Sequence, residues 1–546
     1  KMLFAAWSGR NKSYYAYQTW DAPLRKIFKN FVSFDPQEEV YKYGKEEMNK
    51  RFLEVVKKEQ PDYIFLWLIY EEFYIDTLLR IREISPKSKL INFFGDDDTQ
   101  FYSYTRYCAL LFDACLIFPQ LSEDTYYKEG IKNFFITHVI NLNKLNPLKL
   151  KKKYDVTFIG SPNGYRYDYI RYLLDKGVSV LLFGNGWNDY LEFKSFYRGR
   201  LDGSDFVKVI NQSKINLCFT QNIWGIPHLK GRIFEIGACK SFALVENANI
   251  YRKFFMGGRE IVFFKDKKDL LEKIDYYLKN GQERELIAEN MYNRVVKDYD
   301  SDKELINFFS KLEKEKVAYK GLPKLNKSSM LITKQEIFNL SSSEITEKLK
   351  GYDFVYFDDG QNESMPYKNY FQSYSLEKSN MPISCCDYYF YSDKIGDYFY
   401  FNSDLSLRLL KEHEFFPLID INQLMVSKDF FLSNINEFKG ACCGKNINFI
   451  KRENTVFISI PLLRVLRHKK FKFHIIKKLD FNLKISDHLV FLINKKKLLT
   501  SPYLYNVLLE SLRPNNLFIL RYLFESLFNK NKIKTFKNLY GGRGIK

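Results

Sequence analysis

Short unbroken apolar runs, separated by amphipathic stretches, carry the pattern of the first half of the chain. The runs KMLFAAW, DYIFLWLIY, LINFFG, ACLIFP and NFFITHV fall within residues 1–145. Segments apolar on both faces predict strands of a parallel sheet covered by helices on either side. That reading gives one Rossmann-like domain over residues 1–147.

A lysine-rich joint, NKLNPLKLKKKYD, leads to a second series, VTFIGS, VSVLLFG, INLCFT, FALVEN and IVFF. Helical patterns such as YRYDYIRYLLDKG and DLLEKIDYYLKNGQERELIAENMYNRVVKD lie between and after these runs. They predict a second Rossmann-like domain over residues 148–318. Two such domains in tandem enclose a cleft between their strand ends, where ligands bind in doubly wound sheets.

Beyond Gly321 the alternation fades. YDFVYFDDGQNE reads as a strand followed by an acidic turn, and the rest is irregular, aromatic and without clear βα repetition. We read residues 319–450 as an additional α/β region and residues 451–546 as a basic, largely helical tail. The fold class of the whole is α/β.

At 546 residues the chain exceeds a single core, and an apolar fraction of 46% argues against disorder. No apolar run reaches the roughly 18 residues of a membrane span, and the start lacks the apolar core of a signal peptide. A soluble cytoplasmic protein is the expectation. Eight cysteines include the adjacent pairs Cys385-Cys386 and Cys442-Cys443, with no CxxC spacing. Reduced thiols are the expected state, and a zinc site assembled from both pairs is the alternative.

Charge is concentrated at one end. The net charge is +20, and from Lys451 onward 21 Lys and Arg stand against 5 Asp and Glu, a balance of +16. Such a tail suits an anionic membrane surface, a nucleic acid or an acidic polymer. NLFILRYLFESLFNKNKIKTFK reads as a helix with a broad apolar face and a basic end, fit for a membrane interface. It reads equally as a core-packing helix with a solvated end. The excess charge lies outside the paired domains and no nucleic-acid motif occurs. A nucleic-acid partner is therefore not expected, and binding of nucleic acid or another anionic polymer through the tail stands as the alternative function.

The most informative stretch is HLKGRIFEIGACKSF, residues 228–242. A helix starting near Arg232 would turn unpaired first-turn amides and the positive end of its dipole toward an anion. Lys230 and Arg232 add full charges beside that end, and Arg presents paired donors to phosphate oxygens. Glu235, one turn along, is placed to accept from the vicinal hydroxyls of a ribose. Phosphate and ribose together describe a nucleotide. The turn in VTFIGSPNGYR, with Gly160 and Ser161, and the turn in LLFGNGW, with Gly184, would allow a backbone to approach it closely.

These segments, with SKINLCF and FFMGGREIVFFKDKKDLLEKIDYYLKNGQERELIAENMYNRVVKDY, resemble the GT-B glycosyltransferases of the CgeB-like branch, spore maturation proteins and their relatives. FFGDDDTQFYSYTRYCALLFDACLI is similar to the acidic segment in the first half of that family. The resemblance covers about residues 1–318. It departs at Cys239-Lys240, where relatives carry glycine after the small-residue run.

What the resemblance implies is a GT-B enzyme, two Rossmann-like domains facing a cleft, that moves a hexosyl or related sugar from a nucleotide-sugar donor. A UDP- or GDP-sugar is the expected donor, and a bacterial surface glycan or a lipid-linked glycoconjugate the expected acceptor. Lys230 and Arg232 would hold the diphosphate, Glu235 the ribose, and Gly160, Ser161 and Gly184 would lie under the phosphates with His228 nearby. No metal is implied, because side-chain cations and a helix end stabilise the leaving diphosphate. The catalytic base would come from Asp96, Asp97 or Asp98, where crowded like charges raise a carboxyl pKa. Asp21 and His138 are weaker choices.

YDFVYFDDG also resembles the metal-binding strand and turn of GT-A glycosyltransferases, with INQLMVSKDFF similar to a later segment. On that reading Asp358 and Asp359 would bind Mn²⁺ or Mg²⁺. The usual nucleotide-binding half is missing, which favours a degenerate or structural module. The basic tail would bring the enzyme to the inner face of the plasma membrane as a peripheral protein.

Overall fold

The computed structural model describes residues 1–6, 17–68, 72–138, 140–162, 165–201, 203–221, 227–358, 363–392, 396–401, 421–442 and 454–466. The first sheet is built from β1 (Met2–Ala6), β2 (Phe31–Phe34), β3 (Tyr63–Trp67), β4 (Lys89–Phe94), β5 (Ala114–Ile117) and β6 (Phe134–Ile136). Its order is β2-β1-β3-β4-β5-β6, and every pairing is parallel.

Both faces of this sheet are buried, which is why its strands are apolar at successive positions. Leu3, Ile64, Leu66 and Leu90 pack to one side, while Phe4, Phe65, Ile91 and Phe93 pack to the other. The short edge strand β2, FVSF, has only partial burial and no apolar run to announce it.

The second sheet comprises β7 (Tyr154–Ile159), β8 (Val180–Phe183), β9 (Ser213–Cys218), β10 (Ala243–Glu246) and β11 (Val262–Phe264). It is parallel throughout, in the order β11-β10-β9-β7-β8. The long helical pattern after β11 resolves into two helices, Lys267–Lys279 and Gly281–Asp298, which meet at Asn280.

The next helix, Ser301–Lys314, returns to the first domain although it lies within the span read as the second. Phe309 packs edge-on to Phe28 at 4.8 Å and Tyr63 at 5.0 Å. Phe308, Phe309 and Leu312 thereby join Phe234, Met291 and Val295 in one apolar cluster shared by the two domains. Downstream, the backbone amide of Tyr319 donates to Asp113 at 2.7 Å and fixes the exit of the chain on the first domain.

The third region is more regular than its sequence suggests. Its strands are β12 (Ser329–Thr333), β13 (Phe354–Asp358), β14 (Glu363–Ser364), β15 (Ile383–Ser392), β16 (Gly396–Phe401), β17 (Leu424–Ser427) and β18 (Thr455–Leu466). They form one mixed sheet, β12-β13-β17-β15-β18-β14, with β16 antiparallel to β15. Two short helices after β12, Lys334–Asn339 and Ser342–Lys348, are each opened by a complete capping box, Thr333 with Glu336 and Ser341 with Glu344.

The last strand, β18, lies past residue 450 and pairs with β15 from Ile383↔Thr455 onward. The third region therefore extends into the span expected to be tail. Residues 467–546, which hold most of the basic tail, lie outside the described residues.

The helix Lys368–Ser379 docks this domain on the first. Phe371 and Tyr374 join the first domain's core, each about edge-on to Tyr107. Among the described residues no helix is long and apolar enough to cross a membrane. The seven described cysteines are buried, and Cys443 lies outside the described residues.

Candidate functional site

In the second sheet the winding reverses at β7, which has β8 on one side and β9 on the other. A crevice opens at such a switch point, at the carboxyl ends of the strands. The segments leaving β7 and β9 line it, and the helix Gly231–Ala238 begins beside it.

Lys230 is the N-cap residue of that helix, with extended backbone (φ −97°, ψ 129°). Its amide donates to the Tyr251 hydroxyl at 2.9 Å, and that hydroxyl donates to the His228 carbonyl at 3.0 Å. Gly231 follows, and a Cβ built there would meet nothing within 4 Å. Space is thus left beside the first turn, whose amides lack intrahelical partners.

Arg232 and Glu235 form an ion pair at 2.8 Å, one turn apart, and the guanidinium lies over the Phe206 ring at 4.3 Å. The two side chains expected on different parts of a nucleotide are therefore also each other's partners.

The two glycine turns serve each other. Gly184 has φ +119°, and a Cβ there would lie 2.6 Å from the Gly160 carbonyl oxygen. That oxygen also accepts from the Trp187 indole at 2.6 Å. Glycine at 184 is required by backbone packing between β7 and β8, whatever else the turn touches. Ser161 is half-buried, and its carbonyl accepts from Arg166 at 3.4 Å.

Glu246, at the end of β10, is a node that the pattern reading missed. It is 5% exposed and accepts from the Thr220 amide at 2.7 Å, the Thr220 hydroxyl at 2.9 Å, the Gln221 side chain at 3.1 Å and the Tyr165 hydroxyl. The only signal was a carboxylate closing an apolar strand, FALVE. Together with burial, it pushes the Tyr165 phenol well above its usual range.

Cys218, the last residue of β9, lies among these groups. Burial pushes its thiol up to about 11, opposed by the charges of Arg232, Lys230 and Arg166. It is inert as a nucleophile at neutral pH.

His228 is buried, and Gln120 reaches it from the first domain at 3.3 Å. Gln120 also pairs with the backbone of Leu229 in both directions, each at 2.9 Å. This contact ties the two domains together beside the crevice.

The three consecutive aspartates of the first domain separate. Asp97 is buried and accepts from Thr105 at 2.6 Å and from the Tyr126 hydroxyl. Asp96 is half-buried at the N-cap position of the short helix Asp97–Gln100, without a side-chain capping bond. The Asp98 side chain lies outside the described residues. Asp21 accepts from Arg25 at 2.6 Å and Ser33 at 3.1 Å, a structural arrangement. His138 meets Glu304 of the returning helix at 2.5 Å, with the Tyr299 ring tilted against it at 4.4 Å, and so ties that helix to the first domain.

Asp358 ends β13 and is half-buried, while Asp359 lies outside the described residues. Among the described residues no group of three or more His, Cys, Asp or Glu is arranged to hold a metal ion.

Residues 166–310 match the family model described as "Glycosyl transferase-like". No protein of curated function matches the chain. Similar solved structures include Anabaena HepE in complex with UDP-glucose, 12% identical, covering 57% of this chain and 99% of that one with a TM-score of 0.42. A glycosyltransferase from Rickettsia africae is 11% identical, with 58% and 98% covered and a TM-score of 0.39. Sucrose-phosphate synthase from Thermosynechococcus elongatus is 10% identical, with 57% and 98% covered and a TM-score of 0.38. Residues 166–310, which hold most of the second doubly wound sheet and its helices, are thus glycosyltransferase-like.

Proposed function

We propose that this protein is a nucleotide-sugar-dependent glycosyltransferase that transfers a hexosyl or related sugar from a UDP- or GDP-sugar to a bacterial surface glycan or lipid-linked acceptor. The observation that carries this reading is the start of the Gly231–Ala238 helix, with space at Gly231 and with Lys230, Arg232 and Glu235 beside it after β9. It lies inside the glycosyltransferase-like segment.

In the reaction the anomeric C–O bond to the β-phosphate breaks and an acceptor oxygen bonds to that carbon. Negative charge grows on the departing diphosphate, where Lys230, Arg232 and the helix end stabilise it most in the transition state. Glu235 turns from Arg232 toward the ribose hydroxyls. The acceptor proton goes to a carboxylate of the first domain. Asp97, whose oxygens are engaged by Thr105 and Tyr126, is held as a support, and Asp96 and Asp98 beside it are the other candidates. His228, with its ring toward Gln120, borders the phosphates rather than the acceptor.

The cations here supply the charge that a metal would otherwise supply. The basic chain beyond Leu466 would hold the enzyme at the inner, anionic face of the plasma membrane, where lipid-linked acceptors reside.

The test is thermal unfolding of the wild type and of Glu235→Ala with UDP, GDP, CMP, ADP and dTDP, with and without Mn²⁺. Stabilisation by one diphosphate, independent of metal and lost in the variant, is expected. Stabilisation that needs Mn²⁺ and survives the substitution would place the donor at Asp358 and Asp359 instead. The absence of any shift would remove the transferase reading.

A further inference from the structure

We propose that Tyr102 is an acceptor-recognition residue, a platform on which a saccharide ring of the acceptor stacks where the first domain meets the third. This rests on the acceptor reading above, in which the carboxylates after β4 serve the acceptor, and it names the residue that grips the sugar beyond them.

Position is the first observation. The chain leaves β4 at the carboxyl end of the first sheet, passes Asp96 and Asp98, and enters a π-helical turn, Phe101–Thr105. Ligands of doubly wound sheets gather at those strand ends. Tyr102 follows Asp96 by about 9 Å of helical rise. That distance suits a neighbouring ring of the acceptor rather than the reacting one.

The second is the mount. A single π turn is rare and recurs at functional sites. This one is pinned at both ends: Thr105 donates to Asp97 at 2.6 Å, Tyr126 donates to the same carboxylate, and the Phe101 ring meets Tyr126 at 4.9 Å. Phe101, Tyr104 and Thr105 are buried, whereas Tyr102 is 62% exposed, the most exposed aromatic side chain among the described residues. Its ring is nevertheless oriented, by Phe101 edge-on at 5.2 Å and by the Arg106 guanidinium at 5.9 Å. Arg106 is itself fixed by Glu129 at 3.3 Å and the Tyr107 hydroxyl at 2.6 Å.

The third is the neighbour across the boundary. Strand β18 of the third domain runs beside the turn that carries Tyr102, and β16 runs beside the helix Lys45–Glu59 of the first domain. β18 pairs with β15 along the aromatic stretch Tyr388–Tyr391. The third domain therefore borders the turn with a strand pair rich in aromatic residues.

A saccharide ring carries C–H groups on its faces and hydroxyls at its rim. A tyrosine offers an apolar face with a polar tip, and a face oriented in advance binds at a low cost in conformational entropy.

Saturation-transfer NMR of the full chain tests the proposal. The probes are methyl glycosides of glucose, galactose, mannose and N-acetylglucosamine, the disaccharides maltose, cellobiose and lactose, and octyl glucoside below its micelle concentration, each with and without UDP. At least one saccharide should bind the wild type through its ring protons. Tyr102→Ala should weaken that binding roughly fivefold to tenfold, Tyr102→Phe and Tyr102→Trp should keep most of it, and all three should bind nucleotide as the wild type does. Tyr102→Leu keeps apolar bulk without the aromatic face and should behave as the alanine variant; it decides if the alanine variant does not fold. Unchanged saccharide binding in Tyr102→Ala overturns the assignment. So does a wild type that binds UDP but none of the saccharides, and in both cases the donor reading stands. Saturation confined to the alkyl chain of octyl glucoside would assign the ring to a lipid and overturn the saccharide platform. If the wild type binds neither nucleotide nor saccharide, both readings fall together.

Discussion

Gln120 and Leu229 clasp each other across the two domains, side-chain amide to main-chain amide, with both bonds at 2.9 Å. The amide is buried and matched donor to acceptor, so nothing else of its size replaces it. Gln120→Glu keeps one bond and sets an oxygen against the Leu229 carbonyl. We predict that it costs about 1–3 kcal/mol in urea unfolding and lowers donor affinity, since Leu229 immediately precedes Lys230. An unchanged unfolding midpoint would show that the domains are held elsewhere.

Gly231 and Gly184 should respond in opposite ways to alanine. At Gly184 a Cβ would strike the Gly160 carbonyl from a backbone at φ +119°, and a loss of at least about 2 kcal/mol is expected by analogy with strained left-handed positions. At Gly231 a Cβ meets nothing, so stability should hold while diphosphate affinity falls. Thermal unfolding and nucleotide titration of both variants separate the two roles.

Glu235→Gln should leave stability within about 1 kcal/mol, because a partly exposed ion pair one turn apart contributes little. Donor affinity should drop by roughly tenfold, about 1.4 kcal/mol. A large loss of stability with unchanged affinity would mark the residue as structural.

Asp96→Asn and Asp97→Asn discriminate between a base and a support. The buried Asp97 is bonded to Thr105 and Tyr126, so its substitution should lower the unfolding midpoint. Asp96→Asn should fold normally and lose turnover with an unchanged donor KM. A fully active Asp96→Asn would pass the role to Asp98.

Alkaline stability offers a check on the cores. Burial pushes Cys108 and Cys239 up to about 12 and Cys218 up to about 11, from an ordinary 9.0. A raised acid stays protonated in the fold while the unfolded thiol ionises, so its contribution is complete below pH 9 and disappears as pH climbs toward 11 to 12. Cys218 accounts for on the order of 3 kcal/mol at most and Cys108 and Cys239 for on the order of 4 each. The urea midpoint should be level from pH 7 to 8.5 and fall above pH 9, less steeply in Cys218→Ala.

Much of this molecule was legible as sequence because buried parallel strands have no polar face. KMLFAA, YIFLW and ALVE are strands wherever they lie, and the helix at residue 231 announced itself through Lys-Gly-Arg. What escaped depended on partners distant in sequence. Glu246 reads as one more charge until Thr220, Gln221 and Tyr165 surround it. Asp97 reads as part of an acidic turn until Tyr126, twenty-nine residues on, takes its oxygen. Gly184 shows only a permissive turn until Gly160 is seen against it, which adds a packing demand for glycine there. The third sheet was obscured by its mixed strand directions, which place β17 antiparallel between β13 and β15 and leave no βα repeat to follow.

The return of the Ser301–Lys314 helix to the first domain has a mechanical meaning. With Glu304 on His138, the returning helix is fastened to the first domain, and with Tyr319 on Asp113 and Tyr374 against Tyr107, so is the chain that follows it into the third. A chain with three cores then behaves as a jaw with two halves. Any movement of the first domain against the second therefore carries the third with the first, and the chain crosses between the two near residues 140 and 300.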